Sequence, residues 1–385
     1  MSNNTTDLSR RNFLKLTACA TAVTGISSLF SPAYALNNEK IAKIKLDSIP
    51  TDPVEIARSS ALVGYAFRYL MSVIDTIHNQ ELKNKVLSIY NNTAPTFAFK
   101  FADEDLKKAV YSQLKNQNLI DESKTPFDKF LPPFDLSGAA PQPFFSAPGS
   151  GYQSHHAYPG GLVTHTAVNV MVTLSLLESY KKFYKYDAIY DEAVAGQLLH
   201  DLAKPYVFQW KKDGSSLTEY QIGGTGAHHI FSIAESIHRN LPANVIVAQA
   251  CAHDHPGSEN DEKSVVDYIK SAAVLCQVDP VRMKLLSSDG KHLNTPHRQA
   301  GFLIHLGDHD FVLSVPAAKE SIAALKKVAT DVFGMKNSEL DGIRFNSLRN
   351  YIGANYSFMR YQNDLSVSSD PYSAAKQAAL LCIEK

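Results

Sequence analysis

An all-α fold is what this 385-residue chain predicts, on three observations. Apolar residues recur at helical spacing in segment after segment between residues 52 and 334. Strand-like alternation is confined to two short runs, near 207–221 and 309–315. The apolar fraction of 44% is that of a globular protein with a sizeable core.

The first 35 residues are expected to be removed. "SRRNFLK" precedes the apolar, small-residue run "LTACATAVTGISSLF" and then "SPAYAL", the order of a cleavable export signal with cleavage after Ala35. Arg10 and Arg11, with Phe13, Leu14 and Lys15, resemble a twin-arginine signal, which implies the twin-arginine export machinery as a partner and a periplasmic or secreted location. The apolar run continues past Cys19, against a lipoprotein reading of "LTAC". Beyond the signal no segment approaches the 18 apolar residues of a membrane span, so no span is expected in the mature chain.

Residues 36–120 form a helical N-terminal unit. "TDPVEIARSSALVGYAFRYLMSVIDTI" opens with Asp52 as N-cap, Pro53 in the first turn and Glu55 three residues on, and predicts one long helix. A second helix is expected over 79–91. A third, "DEDLKKAVYSQLKNQ", carries Leu106, Val110 and Leu114 at i, i+4 and i+8 with acids in its first turn. Residues 121–153, rich in proline, glycine and aromatics, predict a long ordered loop or linker. From 154 to 285 five helices are expected, interrupted by one small hairpin around Asp213-Gly214. Residues 286–385 predict an α-rich extension, in which "HDFVLSV" reads as a strand and Pro316 to Gly334 bracket a helix.

Charge and cysteines exclude two classes. Lysines and arginines equal aspartates and glutamates at 38 each, and removal of the basic leader leaves a slightly acidic chain. A nucleic-acid partner is therefore not expected. After cleavage three cysteines remain, Cys251, Cys276 and Cys382, an odd number that does not make a disulfide scaffold.

The histidines carry the chemistry. Nine of the 14 lie between 155 and 255, and imidazole meets carboxylate at predicted helix ends: His165, His200 with Asp201, His228-His229, and His253-Asp254-His255, with Asp279 ending a later helix. Neutral imidazole and ionised carboxylate suit Mn, Fe, Co, Ni or Zn, and a carboxylate can bridge two ions. One or two divalent transition-metal ions are expected. In "HHAYPGGLVTHT", Gly160 and Gly161 permit a tight turn and close approach to a ligand where a helix begins, and the N–H groups there favour an anion such as phosphate. Lys204 in "LLHDLAK" is a phosphate contact or a cation compensating the helix dipole.

These motifs resemble the HD-domain superfamily of metal-dependent phosphohydrolases. "HHAYPGGLVTHT" with "LLHDLAK" is especially similar to the subgroup of HD-type 3′-to-5′ exoribonucleases and relaxase HD regions, over about 150–285. The resemblance implies His165 as first metal ligand, His200 and Asp201 as the doublet, His228 or His229 next, and Asp279 as the last aspartate. His253, Asp254 or His255 takes the place of the family's later His-His pair. It implies substrate contact for His155 and His156, with His156, Lys204 and Asp201 in catalytic roles. His305 and "GDHD" at 307–310 imitate the motif outside this pattern. The expected function is an exported phosphohydrolase acting on a small phosphoester or nucleotide through metal-activated water. The alternatives are a di-iron oxygenase on the same scaffold and a non-catalytic module with a structural metal.

Overall fold

The structure is a computed structural model that describes residue 41 and residues 43–294 and 298–384. The expected export signal and its cleavage point lie outside the described residues.

Helices dominate. The first four are α1 (Pro53–Ser59), α2 (Ala61–Ile74), α3 (Gln80–Asn91) and α4 (Glu104–Asn116). Asp52 caps α1 by accepting from the Val54 N–H, with Pro53 at its first position. The single long helix expected here is instead broken at Ser60. Its hydroxyl accepts from Val63 N–H to start α2 and donates to the Ala354 carbonyl at 2.6 Å, a tie 294 residues away in sequence. Residues 121–153 contain 3-10 turns at Phe127–Lys129 and Phe144–Ser146, and they are anchored by buried Phe130 and Phe144. Phe130 lies edge-on to Tyr111 of α4 at 5.3 Å.

The middle of the chain gives α5 (Gly161–Ser179), α6 (Tyr190–Leu199), the single turn α7 (Lys204–Val207), α8 (Ala227–His238), α9 (Ala243–Ala250) and α10 (Glu259–Cys276). The hairpin near Asp213-Gly214 is present as a turn closed by a Trp210–Ser216 bridge, and Gly214 takes a φ of 76° there. After it, β2 (Gln221–Ile222) pairs antiparallel with β3 (Thr225–Gly226). The stretch Gly161–Tyr184 is long and apolar enough to cross a membrane by length and composition. Most of it is buried by other helices, as in a core helix.

The last part is mostly helical, with α11 (Arg298–Gly307), α12 (Phe311–Asp331), α13 (Ile343–Tyr356), α14 (Phe358–Val367) and α15 (Pro371–Cys382). "HDFVLSV" is therefore not a strand. Phe311, Val312 and Leu313 are all exposed, whereas burial falls on Ser314, Ala317, Ala318, Ser321, Ile322 and Leu325, the spacing of one helical face. Near the chain's end, β4 (Ile383–Glu384) pairs in parallel with β1 (Ile44–Lys45). One continuous hydrophobic core runs from Ile56 to Ile383. Cys251 and Cys382 are buried in it as small apolar side chains, and Cys276 is half-buried.

Two packing choices position the site. Helix α2 lies against the start of α5, where a Cβ on Gly160 would sit 2.5 Å from Val63. Helix α13 supports the loop before α5: Arg349 is buried under Tyr152 and donates to the Ala157 carbonyl at 2.8 Å, and Gly353 gives room to Tyr158.

Candidate metal centre

Six chain segments converge on one buried cluster. His165 comes from the second turn of α5, His200 and Asp201 from the end of α6, and Lys204 from the start of α7. His228 sits in the first turn of α8, His253 just beyond α9, and Asp308 directly after α11. Asp201 Oδ2 lies 3.0 Å from His165 Nε2, 3.2 Å from His200 Nε2 and 2.5 Å from Lys204 Nζ, and its Oδ1 is 3.3 Å from His228 Nε2. Asp308 Oδ1 lies 3.2 Å from His165 Nε2 and 3.5 Å from His200 Nε2, and its Oδ2 is 3.7 Å from His253 Nε2.

The other ring nitrogen of three of the imidazoles is held from behind. Nδ1 of His200 meets the Gln197 carbonyl at 2.6 Å, Nδ1 of His228 meets Glu219 Oε1 at 2.5 Å, and Nδ1 of His253 meets Thr225 Oγ1 at 3.3 Å. Nδ1 of His165 stands 3.2 Å from Asp310 Oδ1. With Nδ1 engaged in His200, His228 and His253, their Nε2 atoms are left facing the cluster, the arrangement a metal-binding imidazole needs. Asn169, one turn after His165, donates to Asp308 Oδ1 at 2.6 Å.

The donor set fits divalent ions. Asp201 Oδ1 and His228 Nε2 are buried without a hydrogen bond, a costly state that a cation at that point would relieve. Two groups with no residue in common, His165–His200–Asp308 and Asp201–His228–His253, each bring their ligand atoms within 4.8 Å of one another. A third, His156–His165–Asp310, competes with the first for His165, since a neutral imidazole has one lone pair to give.

Electrostatics agree in sign. Burial disfavours charge on His200, yet Asp201 and Asp308 outweigh it and raise its pKa to about 9. Burial and Lys204 oppose charge on His165, and Asp310, Asp201 and Asp308 overcome both to hold it well above the usual value. Asp201 and Asp308 are buried too, and His200 next to each holds them well below the ordinary carboxylate range. The cluster therefore calls for positive charge at its centre, which protons or metal ions supply.

Several expected site residues lie elsewhere. Asp279 is exposed, accepts from the Val281 and Arg282 N–H groups and caps a turn, so it does not close the ligand set; Asp308 stands there instead. His229 points Nε2 at the Ala250 carbonyl and stacks on His253 at 4.1 Å, while burial and the neighbouring His228 lower its pKa to about 4. His255 pairs with Asp261 at 3.1 Å, away from the cluster. His156 is buried with both nitrogens engaged, by Tyr158 Oη at 3.2 Å and Asp310 Oδ2 at 2.7 Å, and so supports Asp310 instead of meeting a substrate. The glycine pair serves packing: a Cβ on Gly161 would lie 1.8 Å from the His156 carbonyl oxygen. The N–H groups of Gly161 and Leu162 bond to the carbonyls of Tyr158 and Ala147, so these two donors are not free to hold an anion.

Above the cluster opens a cavity of about 420 Å³ lined by His155, His165, Lys204, His228, His253 and Asp308, with His305, His309, Phe311 and Val315 on its wall. Burial, then Lys204, holds His155 well below the usual imidazole value, so it meets a ligand uncharged.

No protein-family model matches this chain, and no solved structure matches it. Over 121 residues it is 34% identical to the dihydroneopterin 2′,3′-cyclic phosphate phosphodiesterase of Methanocaldococcus jannaschii. The aligned stretch is 31% of this chain and 48% of that protein, so the chain spans about half the length of the curated relative it matches.

Proposed function

We propose that the protein is an HD-type, metal-dependent phosphodiesterase acting on a small phosphodiester. The observation that carries it is the convergence of four imidazoles, three of them held from behind, with Asp201 and Asp308 at the floor of an open cavity. Similarity to a phosphodiesterase supports the same reading. Bound divalent ions, of Mn, Fe, Co, Ni or Zn, would supply a Lewis acid and lower the pKa of water at the cluster.

The chain's own residues do the rest. Asp201, with one oxygen toward each ligand group, would sit between two ions. Lys204 faces the cavity with its ammonium against Asp201, and offers one cationic donor to a phosphoryl oxygen. Among the described residues lining the cavity it is the one lysine or arginine. A diester carries one negative charge where a monoester carries nearly two, so a single, already paired cation favours the diester. His155 in the wall is a neutral hydrogen-bonding group for the bound diester. The cavity opens the ligand groups to substrate, which argues against a closed structural metal.

The test is hydrolysis of bis(4-nitrophenyl) phosphate against 4-nitrophenyl phosphate after loading with each metal. The diester should be preferred by about ten-fold or more; no turnover with any metal, or preference for the monoester, overturns the reading. Twin-arginine export belongs to the same proposal and rests on residues 10–35. A periplasmic product beginning at Leu36, lost in the Arg10→Lys, Arg11→Lys double variant, supports it; cytoplasmic protein with an intact leader contradicts it.

A further inference from the structure

The cavity has a second wall that the proposed chemistry does not use. His305, His309 and Phe311 stand in a row along it, with His305 and His309 ring centres 4.4 Å apart and His309 and Phe311 5.7 Å apart. The imidazoles are fixed from the backbone: Nδ1 of His305 donates to the Ala252 carbonyl at 3.2 Å, and Nδ1 of His309 to the His305 carbonyl at 2.7 Å. Phe311, the first residue of α12, is 46% exposed. Val315, one turn further along the helix, and Ala252 continue the apolar surface.

A phenyl ring left half in water forgoes part of its hydrophobic burial. Here it is forgone beside the candidate metal ligands, in a row of rings whose orientation is set before a ligand arrives. The rings are tilted to one another, 77° between His305 and His309 and 46° between His309 and Phe311, so a flat apolar group set against Phe311 recovers the lost burial by stacking on one ring and meeting its neighbour edge-on. Charge points the same way, because among the described residues no arginine and no lysine other than Lys204 lines the cavity to hold a charged group at the wall.

We propose that this wall is the subsite for the organic part of the substrate, and that it takes an uncharged aromatic or heteroaromatic ring, with Phe311 as the specificity-determining residue. The inference rests on the phosphodiesterase reading for the place of the phosphate, and it narrows the substrate to phosphodiesters that carry such a ring. Val312 and Leu313 are exposed beside Phe311 but do not line the cavity, so they separate a ligand subsite from a patch that docks another protein.

Calorimetric titration of the manganese-loaded full chain with diphenyl phosphate and with diethyl phosphate tests it, since the two carry the same charge and differ in their rings. Diphenyl phosphate should bind about ten-fold tighter or more. Phe311→Ala should bring the two within about two-fold, Phe311→Tyr should keep the preference, and Leu313→Ser should match the wild type. Equal binding in the wild type, or a preference that survives Phe311→Ala, overturns the subsite. Turnover of bis(4-nitrophenyl) phosphate is measured beside it. A lost ring preference with turnover intact defeats the subsite alone, whereas a ring preference without turnover defeats the phosphodiesterase reading alone.

Discussion

Two helix C-termini face the same cluster, those of α6 and α11, and they deliver their acids differently. Helix α6 closes with His200, still in helical conformation, and the next residue is Asp201; both side chains are buried and both turn inward. After α11 the chain runs Asp308, His309, Asp310, and alternate residues go in: Asp308 and Asp310 reach His165, while His309 is left on the cavity wall. The difference lies in how near the helix comes. A Cβ on Gly307 would lie 2.1 Å from Thr173 Oγ1 and 2.8 Å from Gln197 Oε1, so glycine lets α11 end against α5 and α6. Helix α10 ends with Gln277 at a φ of 57° instead, and Asp279 beyond it is left in solvent. An acid after a helix enters a site only where the helix end itself reaches it.

The largest effects should fall on the two inward acids. Asp201→Ala and Asp308→Ala should each lose bound metal and about 10³-fold of turnover while keeping helical circular dichroism, and Asp279→Ala should keep both. Metal retained in Asp308→Ala but lost in Asp279→Ala would break the comparison. Gly307→Ala should destabilise the fold by about 1–3 kcal/mol through overpacking, read as a lower denaturant midpoint. An unchanged midpoint would mean that α11 is not held this closely.

Asp310→Asn sharpens the contrast within the second helix end. It leaves shape intact but weakens the partner of His165 Nδ1, and should cost about 10–100-fold in metal affinity by titration with little change in stability. The effect of pH is smaller. In chelator-treated protein the folded-state pKa of His200 is raised from 6.5 to about 9. Its stabilisation is therefore full below the unfolded value and lost as pH rises through about 9. Melting temperature of the metal-free protein should fall from pH 6.5 to 9, and the metal-loaded protein should not follow it. Smallest of all, His255→Ala should change stability by less than about 0.5 kcal/mol and leave metal content alone.

Much of the fold was legible because caps and periodicity are local. Asp52, Pro53 and the 3.6-residue spacing mark α1 to α4 without reference to the rest of the chain. The break at Ser60 was not legible, since the Ala354 carbonyl that holds it is remote in sequence. In the site, His165 and the His200-Asp201 pair stand out by motif. Asp308 and Asp310 were hidden by three apolar residues after them that mimic a strand while lying exposed at the start of a helix. Asn169 carried a usable signal, one helical turn from His165. Glu219 carried none, because only the turn of β2 and β3 brings it beneath His228. A glycine pair is visible in any sequence, but what stands opposite is not: Val63 faces Gly160, and the His156 carbonyl faces Gly161.

The most direct measurement is metal content per chain, by elemental mass spectrometry, of the purified protein beside its Asp308→Ala and Asp279→Ala variants. Between one and two equivalents of a divalent transition metal are expected in the wild type and in Asp279→Ala, with loss of at least one equivalent in Asp308→Ala. No bound metal in the wild type after reconstitution, or full retention in Asp308→Ala, would contradict it.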